Sequence, residues 1–447
     1  MIRILLLACL IFVAPTLLGL GDTTVAAEEA EKKKKKRDTR RMPAISERTY
    51  NALSKATALI DPETIPEDDR RKNWDPTPRP QEGITLLLDM LSKRGLNSYE
   101  AAQIWNLLAF GYFTIEDTPN TINAYENLLK QEKITEALEL SALRALYQLY
   151  YGGEEYEKSI AYMDRYLALK DEPDPQISYL KANAYYILKD FEEALVFALQ
   201  CEQEAVQLDK EVKETWLYLQ VVLYSELKRT DDTVRVLETL VVRFPKKQYW
   251  MHLAGLYSEK DAEDRALSAF YAAYVQGMLT RESEVVMLAQ RLLSQEVPHE
   301  AAVVLDSAFK EDLLSEDEKN LRLLAQAYTM SKDYDEAIDA WKRTAKVSRN
   351  GDHYFRLAQS LANEDRHAEA IDAFEEALDK DPKSVQDVHF WKGVSQMQLG
   401  KWDRATRSFR EALKDSDQRM KKSCRQYIRY IASEKRREQE LKKMLES

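Results

Sequence analysis

Residues 354–382 read YFRLAQSLANEDRHAEAIDAFEEALDKDP. Tyr354, Leu357, Ala358 and Leu361 recur at three- and four-residue steps, which puts them on one face of a helix. After a gap, Ala370, Phe374 and Ala377 make a second apolar stripe, and Pro382 follows it. A small side chain at position 370 lets two antiparallel helices approach closely, while the aryl and leucine positions fill the space to a neighbouring helix. One such pair cannot bury its own apolar face, so copies must stack.

Copies lie on both sides. Trp250, Leu253, Ala254 and Tyr257 with Ala266, Phe270 and Ala273 repeat the register, as do Leu321, Leu324, Ala325 and Tyr328 with Ala337 and Trp341. Taking the small residue of each second helix as a marker gives Thr121, Ser159, Ala194, Thr233, Ala266, Ala301, Ala337, Ala370 and Ala405. The markers are spaced 33 to 39 residues apart. The last copy has Lys392 and Gln396 where a leucine and an aromatic are expected, which weakens its first helix. Aspartates ahead of several second helices, such as Asp333, read as turn residues and N-caps.

The spacing resembles the tetratricopeptide repeat, with its W-x2-L-G-x2-Y, A-x3-F, A and P positions and a period of about 34. The fold expected is therefore all-α: a right-handed solenoid of about nine helix pairs over 101–415. A degenerate pair at 46–100 is split by a proline-rich loop at 61–80, which holds five of the 13 prolines. The basic segment 416–447, with Tyr427, Ile428, Tyr430, Ile431, Leu441 and Leu445 as its apolar stripe, reads as a capping helix.

Composition supports this reading. Only 12 glycines occur in 447 residues, too few for all-β turns or glycine-rich phosphate loops. Hydrophobic residues at 45% and 24 tyrosines are too much apolar material for a disordered chain. The net charge of −11 is unevenly placed: 28–41 carry +4, 42–400 carry −22 and 401–447 carry +7. An acidic body repels phosphates, so no nucleic-acid partner is expected.

At the N-terminus, Arg3 precedes the apolar run Ile4 to Leu20, and Val25-Ala26-Ala27 offers small residues for a signal peptidase. Residues 1–27 read as an export signal cleaved near Ala27, followed by a basic leader at 28–45. The run Lys32 to Lys36 resists translocation and keeps a second reading open, an uncleaved inner-membrane anchor. No other apolar run is long enough to span a bilayer, so no span is expected in the mature chain. Cys201 and Cys424, the cysteines beyond that leader, either form one long-range disulfide or lie as core thiols.

The five histidines make no H-E-x-x-H or Cys/His set, and no Walker A, G-x-S-x-G or G-x-G-x-x-G occurs. No catalytic residue, metal or cofactor is expected. His353 and His389, at helix starts, read as solvated.

Beyond the repeats, Arg40-Arg41-Met42-Pro43-Ala44-Ile45-Ser46-Glu47, Pro245-Lys246-Lys247-Gln248-Tyr249-Trp250 and Tyr274-x-x-Gly277-Met278-Leu279-Thr280 add specificity, as does Arg425-Gln426-Tyr427-Ile428-Arg429-Tyr430. Together they resemble the periplasmic tetratricopeptide proteins associated with TonB, ExbB and ExbD energy transduction in Gram-negative bacteria. The proline-rich insertion and the Lys32 to Lys36 run depart from that pattern. The resemblance implies a non-catalytic periplasmic scaffold supporting TonB-dependent uptake, with protein or extended-peptide partners that include TonB, ExbB or ExbD-type components. An envelope-assembly factor and an anchored adaptor facing the cytoplasm are the alternatives.

In tetratricopeptide arrays the first helices line a concave face. The resemblance places Asn106, Phe110 and Phe113, then Arg144, Gln148 and Tyr151, then Tyr179, Asn183, Tyr186 and Tyr218 on it. Met251, Val286, Gln290, Arg322, Gln326, Phe355 and Gln359 continue the register. The aromatic and amide-rich N-terminal set suits an extended peptide. Packing of the same aromatics between adjacent first helices is the competing reading.

Overall fold

The computed structural model describes residues 43–64, 76–348, 350–414 and 417–446. The export signal, its cleavage point near Ala27, most of the basic leader and the middle of the proline-rich loop lie outside the described residues. The chain divides into two compact units, Met1–Pro173 and Asp174–Ser447.

In the first unit, α1 (Glu47–Ile60) and α2 (Pro80–Ser92) pack on each other, and the pairs α3 (Ser98–Thr114) with α4 (Thr118–Leu129) and α5 (Glu136–Gly152) with α6 (Tyr156–Lys170) follow. The second unit holds seven pairs. These are α7 (Pro175–Ile187) with α8 (Phe191–Gln207), α9 (Glu214–Glu226) with α10 (Thr230–Arg243), α11 (Lys247–Glu259) with α12 (Glu263–Val275), and α13 (Glu282–Ser294) with α14 (Pro298–Lys310). Then come α15 (Glu318–Ser331) with α16 (Tyr334–Val347), α17 (Gly351–Asn363) with α18 (His367–Asp379), and α19 (Val385–Gln398) with α20 (Trp402–Ala412). The long α21 (Gln418–Glu446) packs on α20. All elements among the described residues are helices, and nine pairs carry the repeat.

The nine markers are the pivot of each pair. Thr121 and Thr233 are 1% exposed, and Ser159 and the six alanines are fully buried. Each turn inside a pair is built alike. Five residues before the marker stands a residue with left-handed backbone: Glu116, Glu154, Lys189, Lys228, Asp261, Glu296, Lys332, Asp365 or Gly400. Nine residues before it stands a carbonyl that accepts the N–H of the next helix's N-cap residue, as in Asp117 to Tyr112 and Asp190 to Tyr185, both 2.9 Å. This is the Schellman closure, which satisfies carbonyls a helix end would otherwise leave unpaired.

The N-caps divide. Asp117 and Asp190 accept the N–H groups of Asn120 and Glu193. Asp333 caps by position alone, contrary to expectation. Its carboxylate accepts the Ser331 hydroxyl at 2.7 Å and meets His299 at 3.1 Å, contacts that hold its pKa below the usual range.

Two glycines mark close approaches. A Cβ on Gly83 would stand 2.6 Å from Ile60 Cγ1, where α2 crosses α1. One on Gly351 would stand 2.5 Å from the Ala377 carbonyl and 2.9 Å from that of Lys380, so α17 starts in direct backbone contact with the end of α18.

In the last pair, Gln396 is buried and its amide oxygen accepts the Ser408 hydroxyl at 2.8 Å, while Lys392 reaches Glu375 at 2.8 Å. Those departures from pattern are absorbed by local partners, and α19 forms. α21 closes the second unit with Cys424 and Ile431 buried against Ala405, Phe409 and Ala412. The Tyr427 ring stacks on Phe409 with centroids 5.2 Å apart. Both cysteines are buried free thiols, Cys201 donating to the Pro175 carbonyl. That removes the disulfide alternative. Burial, with Glu204 nearby, pushes the Cys201 thiol up to about 12, so it stays protonated and inert.

Candidate partner-binding face

The expected face residues divide between the two units. In the first, Phe113 is 43% exposed and Gln148 is exposed, whereas Asn106 and Phe110 are half-buried. The exposed Arg144 is held by Tyr166, donating to its hydroxyl at 2.6 Å with the guanidinium 5.4 Å from the ring centre. Tyr151 is half-buried, edge-on to Tyr156 at 5.3 Å.

In the second unit, Tyr179 and Tyr186 are half-buried and pack on the core. Tyr179 lies 6.4 Å from Trp216, and Tyr186 lies 5.8 Å from Phe191. Asn183 turns its amide back to the Tyr179 carbonyl at 2.8 Å. Tyr218 is 43% exposed, leaning on Tyr249. These tyrosines thus serve packing and surface together.

The more open face lies farther along the second unit. Gln290, Gln326 and Gln359 each stand eleven residues before a marker, on α13, α15 and α17. Gln290 and Gln326 are exposed, and Gln359 accepts from Arg356 Nη1 at 2.9 Å. Met287, Met330 and Trp391 are 48%, 52% and 41% exposed, and Arg322 and Arg356 are exposed between them. Val286, expected on this face, is buried. A depression of about 540 Å³ opens between Met287 and Gln290 of α13 and Lys319 of α15. Methionine, aromatic residues and arginine are the side chains enriched at protein interfaces, and methionine adapts to varied partners. The signal for this face was in the sequence, as three glutamines in one register.

His353 is buried, not solvated. Its Nε2 meets Glu318 at 2.8 Å and its ring stacks on Trp341. The His353 hydrogen bond and those of its neighbours hold the Glu318 carboxyl low. The pair ties α15 to α17 and is structural. His389 is half-buried, and burial lowers its pKa. Among the described residues no cluster of three or more His, Cys, Asp or Glu side chains is arranged to hold a metal ion. No helix among them is long and apolar enough to cross a membrane.

The tetratricopeptide repeat family model matches residues 144–200 and 331–385, so the chain carries tetratricopeptide repeats. No curated protein matches the chain. Among solved structures, the MamA protein is 20% identical, with 37% of this chain and 89% of that chain covered and a TM-score of 0.32. YrrB, described as a TPR protein with an unusual peptide-binding site, is 16% identical over 42% of this chain and 96% of its own, with a TM-score of 0.34. The TPR2AB domain of yeast Sti1, in complex with pHSP90, is 14% identical over 60% of this chain and 98% of its own, with a TM-score of 0.30. The repeat assignment rests on the family match and on the uniform helix-pair geometry.

Proposed function

We propose that this protein is a non-catalytic protein-interaction scaffold that holds an extended partner segment on its first-helix faces, chiefly the amide, methionine and arginine face of α13, α15 and α17. Tetratricopeptide repeat proteins are protein-interaction scaffolds, and the exposed row of Gln290, Gln326, Arg322, Met287 and Met330 is the observation that carries the assignment to this face. Amides can bond a peptide backbone at one point per repeat, and arginines add charge-assisted bonds. Tyr218, on α9 of the same unit, is an accessory contact.

The setting in this reading is the Gram-negative envelope. The Arg3, apolar run and Val25-Ala26-Ala27 order supports export, and the non-repeat segments from Arg40 and Pro245 support a role beside a TonB-ExbB-ExbD system. A triple variant, Gln290→Ala, Arg322→Ala and Gln326→Ala, tests the face by crosslinked pull-down from an envelope fraction. Loss of the captured partner with an unchanged melting curve is expected. Undiminished capture of the same partner overturns this site.

A further inference from the structure

The outward sides of two neighbouring second helices carry opposite charge, position for position. In every pair, the residue before the marker and those two and five after it stand opposite the buried marker on the helix. From α4 to α16 these three positions mix signs or include uncharged residues. In α18 they are Glu369, Asp372 and Glu375, and in α20 they are Arg404, Arg407 and Arg410. All six side chains are exposed. Like charges one helical turn apart repel, so each row is unfavourable to the helix that holds it.

The two rows do not neutralise each other within one copy. Glu369 pairs with Arg366 at the start of its own helix and Glu375 with Lys392 of α19, both at 2.8 Å, yet their side chains remain 52% and 57% exposed. Among the described residues Asp372 and the three arginines form no ion pair; Asp403, which Arg407 also attracts, is held by Lys435 at 2.6 Å.

α18 and α20 both pack on α19. A nucleic acid or an anionic bilayer meets the arginine row but is repelled by the acidic row beside it, and a polycation has the reverse difficulty. A surface with both rows in reversed order satisfies both, and a second copy presents one. A half-turn about an axis running between the two helices and along them lays α18 of one copy over α20 of the other. The levels then match: Glu369 faces Arg404, Asp372 faces Arg407 and Glu375 faces Arg410, each contact being made twice.

We propose that the outward face of α18 and α20 is a two-fold dimer interface between copies of this chain, held by these six charged residues from each copy. The face is separate from that of the α13, α15 and α17 glutamines and does not depend on it.

Sedimentation equilibrium of the full chain, up to about 100 μM in about 0.05 M salt, tests it. A dimer is expected, its dissociation constant rising at least about tenfold in about 0.5 M salt. Arg404→Glu, Arg407→Glu and Arg410→Glu together make both rows acidic, and Glu369→Arg, Asp372→Arg and Glu375→Arg together make both basic. Each triple variant alone should be a monomer with the parent's melting midpoint, whereas an equimolar mixture of the two should form a heterodimer. A chain that is monomeric throughout, a dimer indifferent to salt, a dimer that survives in either triple variant, or a mixture that stays monomeric overturns the proposal. The salt series on the unsubstituted chain decides even if a variant misfolds.

Discussion

Ser46 Oγ donates to Glu100 Oε1 at 2.5 Å, and the Ser46 N–H donates to the same oxygen at 2.8 Å. One carboxylate thereby ties the start of α1 to the start of α3, 54 residues apart. Its other oxygen accepts the Asn97 N–H at 3.0 Å, while Asn97 caps Glu100 in return. Glu100 is only 3% exposed. Burial opposes its ionisation, but the bonds from Ser46, Asn97 and Thr49 outweigh that and bring its pKa down to about 2.

The sign of the pH effect follows. The folded pKa lies below the ordinary 4.5, so the bonds stabilise fully above pH 4.5 and are lost as the pH falls toward 2. Glu100→Gln should cost about 1 to 3 kcal/mol at neutral pH and flatten the pH dependence in that window. Unfolding midpoints of both proteins between pH 2 and 7 check it; parallel curves would contradict it.

Ala370→Leu should destabilise by about 1 to 3 kcal/mol, because the marker is fully buried and a larger side chain forces α17 and α18 apart. Gly351→Ala should cost a similar amount, for its new Cβ meets two carbonyls. Gly255→Ala is the contrast. Its Cβ meets nothing within 4 Å on α11, so about 0.5 to 1 kcal/mol of gain is expected. Denaturant midpoints separate the three.

Eight of the nine intra-pair turns place Glu, Lys or Asp in left-handed backbone, and only Gly400 is glycine. Lys189→Gly or Glu296→Gly should each stabilise by about 0.5 to 1 kcal/mol, the relief of strain net of glycine's greater unfolded freedom. Gly400→Ala should lose about as much. Calorimetry that finds the same sign for both exchanges would refute the account.

Tyr179→Ala and Tyr186→Ala should each lower stability, since both rings pack on the core, up to the 3 to 5 kcal/mol of large aromatic truncations. Phe113→Ala, at 43% exposure, should leave the midpoint nearly unchanged. A thermal melt distinguishes them.

The repeat was legible because its markers must be small wherever two helices touch, and Thr121, Ser159 and Thr233 satisfy that as well as alanine does. The left-handed turns were not legible, since Glu154 or Lys228 does not announce a positive φ as glycine would. Lys392 and Gln396 looked like defects because their compensating partners, Glu375 and Ser408, stand 17 and 12 residues away in the chain. His353 misled for the same reason. Its partner Glu318 is 35 residues upstream, and nothing local to His353 signals burial. For the candidate face, periodicity picks one side of each first helix but cannot say which of its side chains a neighbour covers, as with the buried Val286. Tyr186 and Phe113 each stand eight residues before a marker, yet Tyr186 packs against Phe191 while Phe113 is 43% exposed.

The uniform turn has a consequence for how such a chain can change. Every interval from closing carbonyl through left-handed residue to marker is identical, so the variation from 33 to 39 residues falls outside that turn, mostly between a marker and the next first helix, with α5 alone starting four residues farther ahead of its marker than α7 to α17 do. Lengthening there alters only the step from one pair to its successor, whereas one residue added inside a turn rotates the second helix by about 100° and exposes its alanine. Divergence can therefore adjust the pitch of the stack freely while the unit being stacked stays frozen.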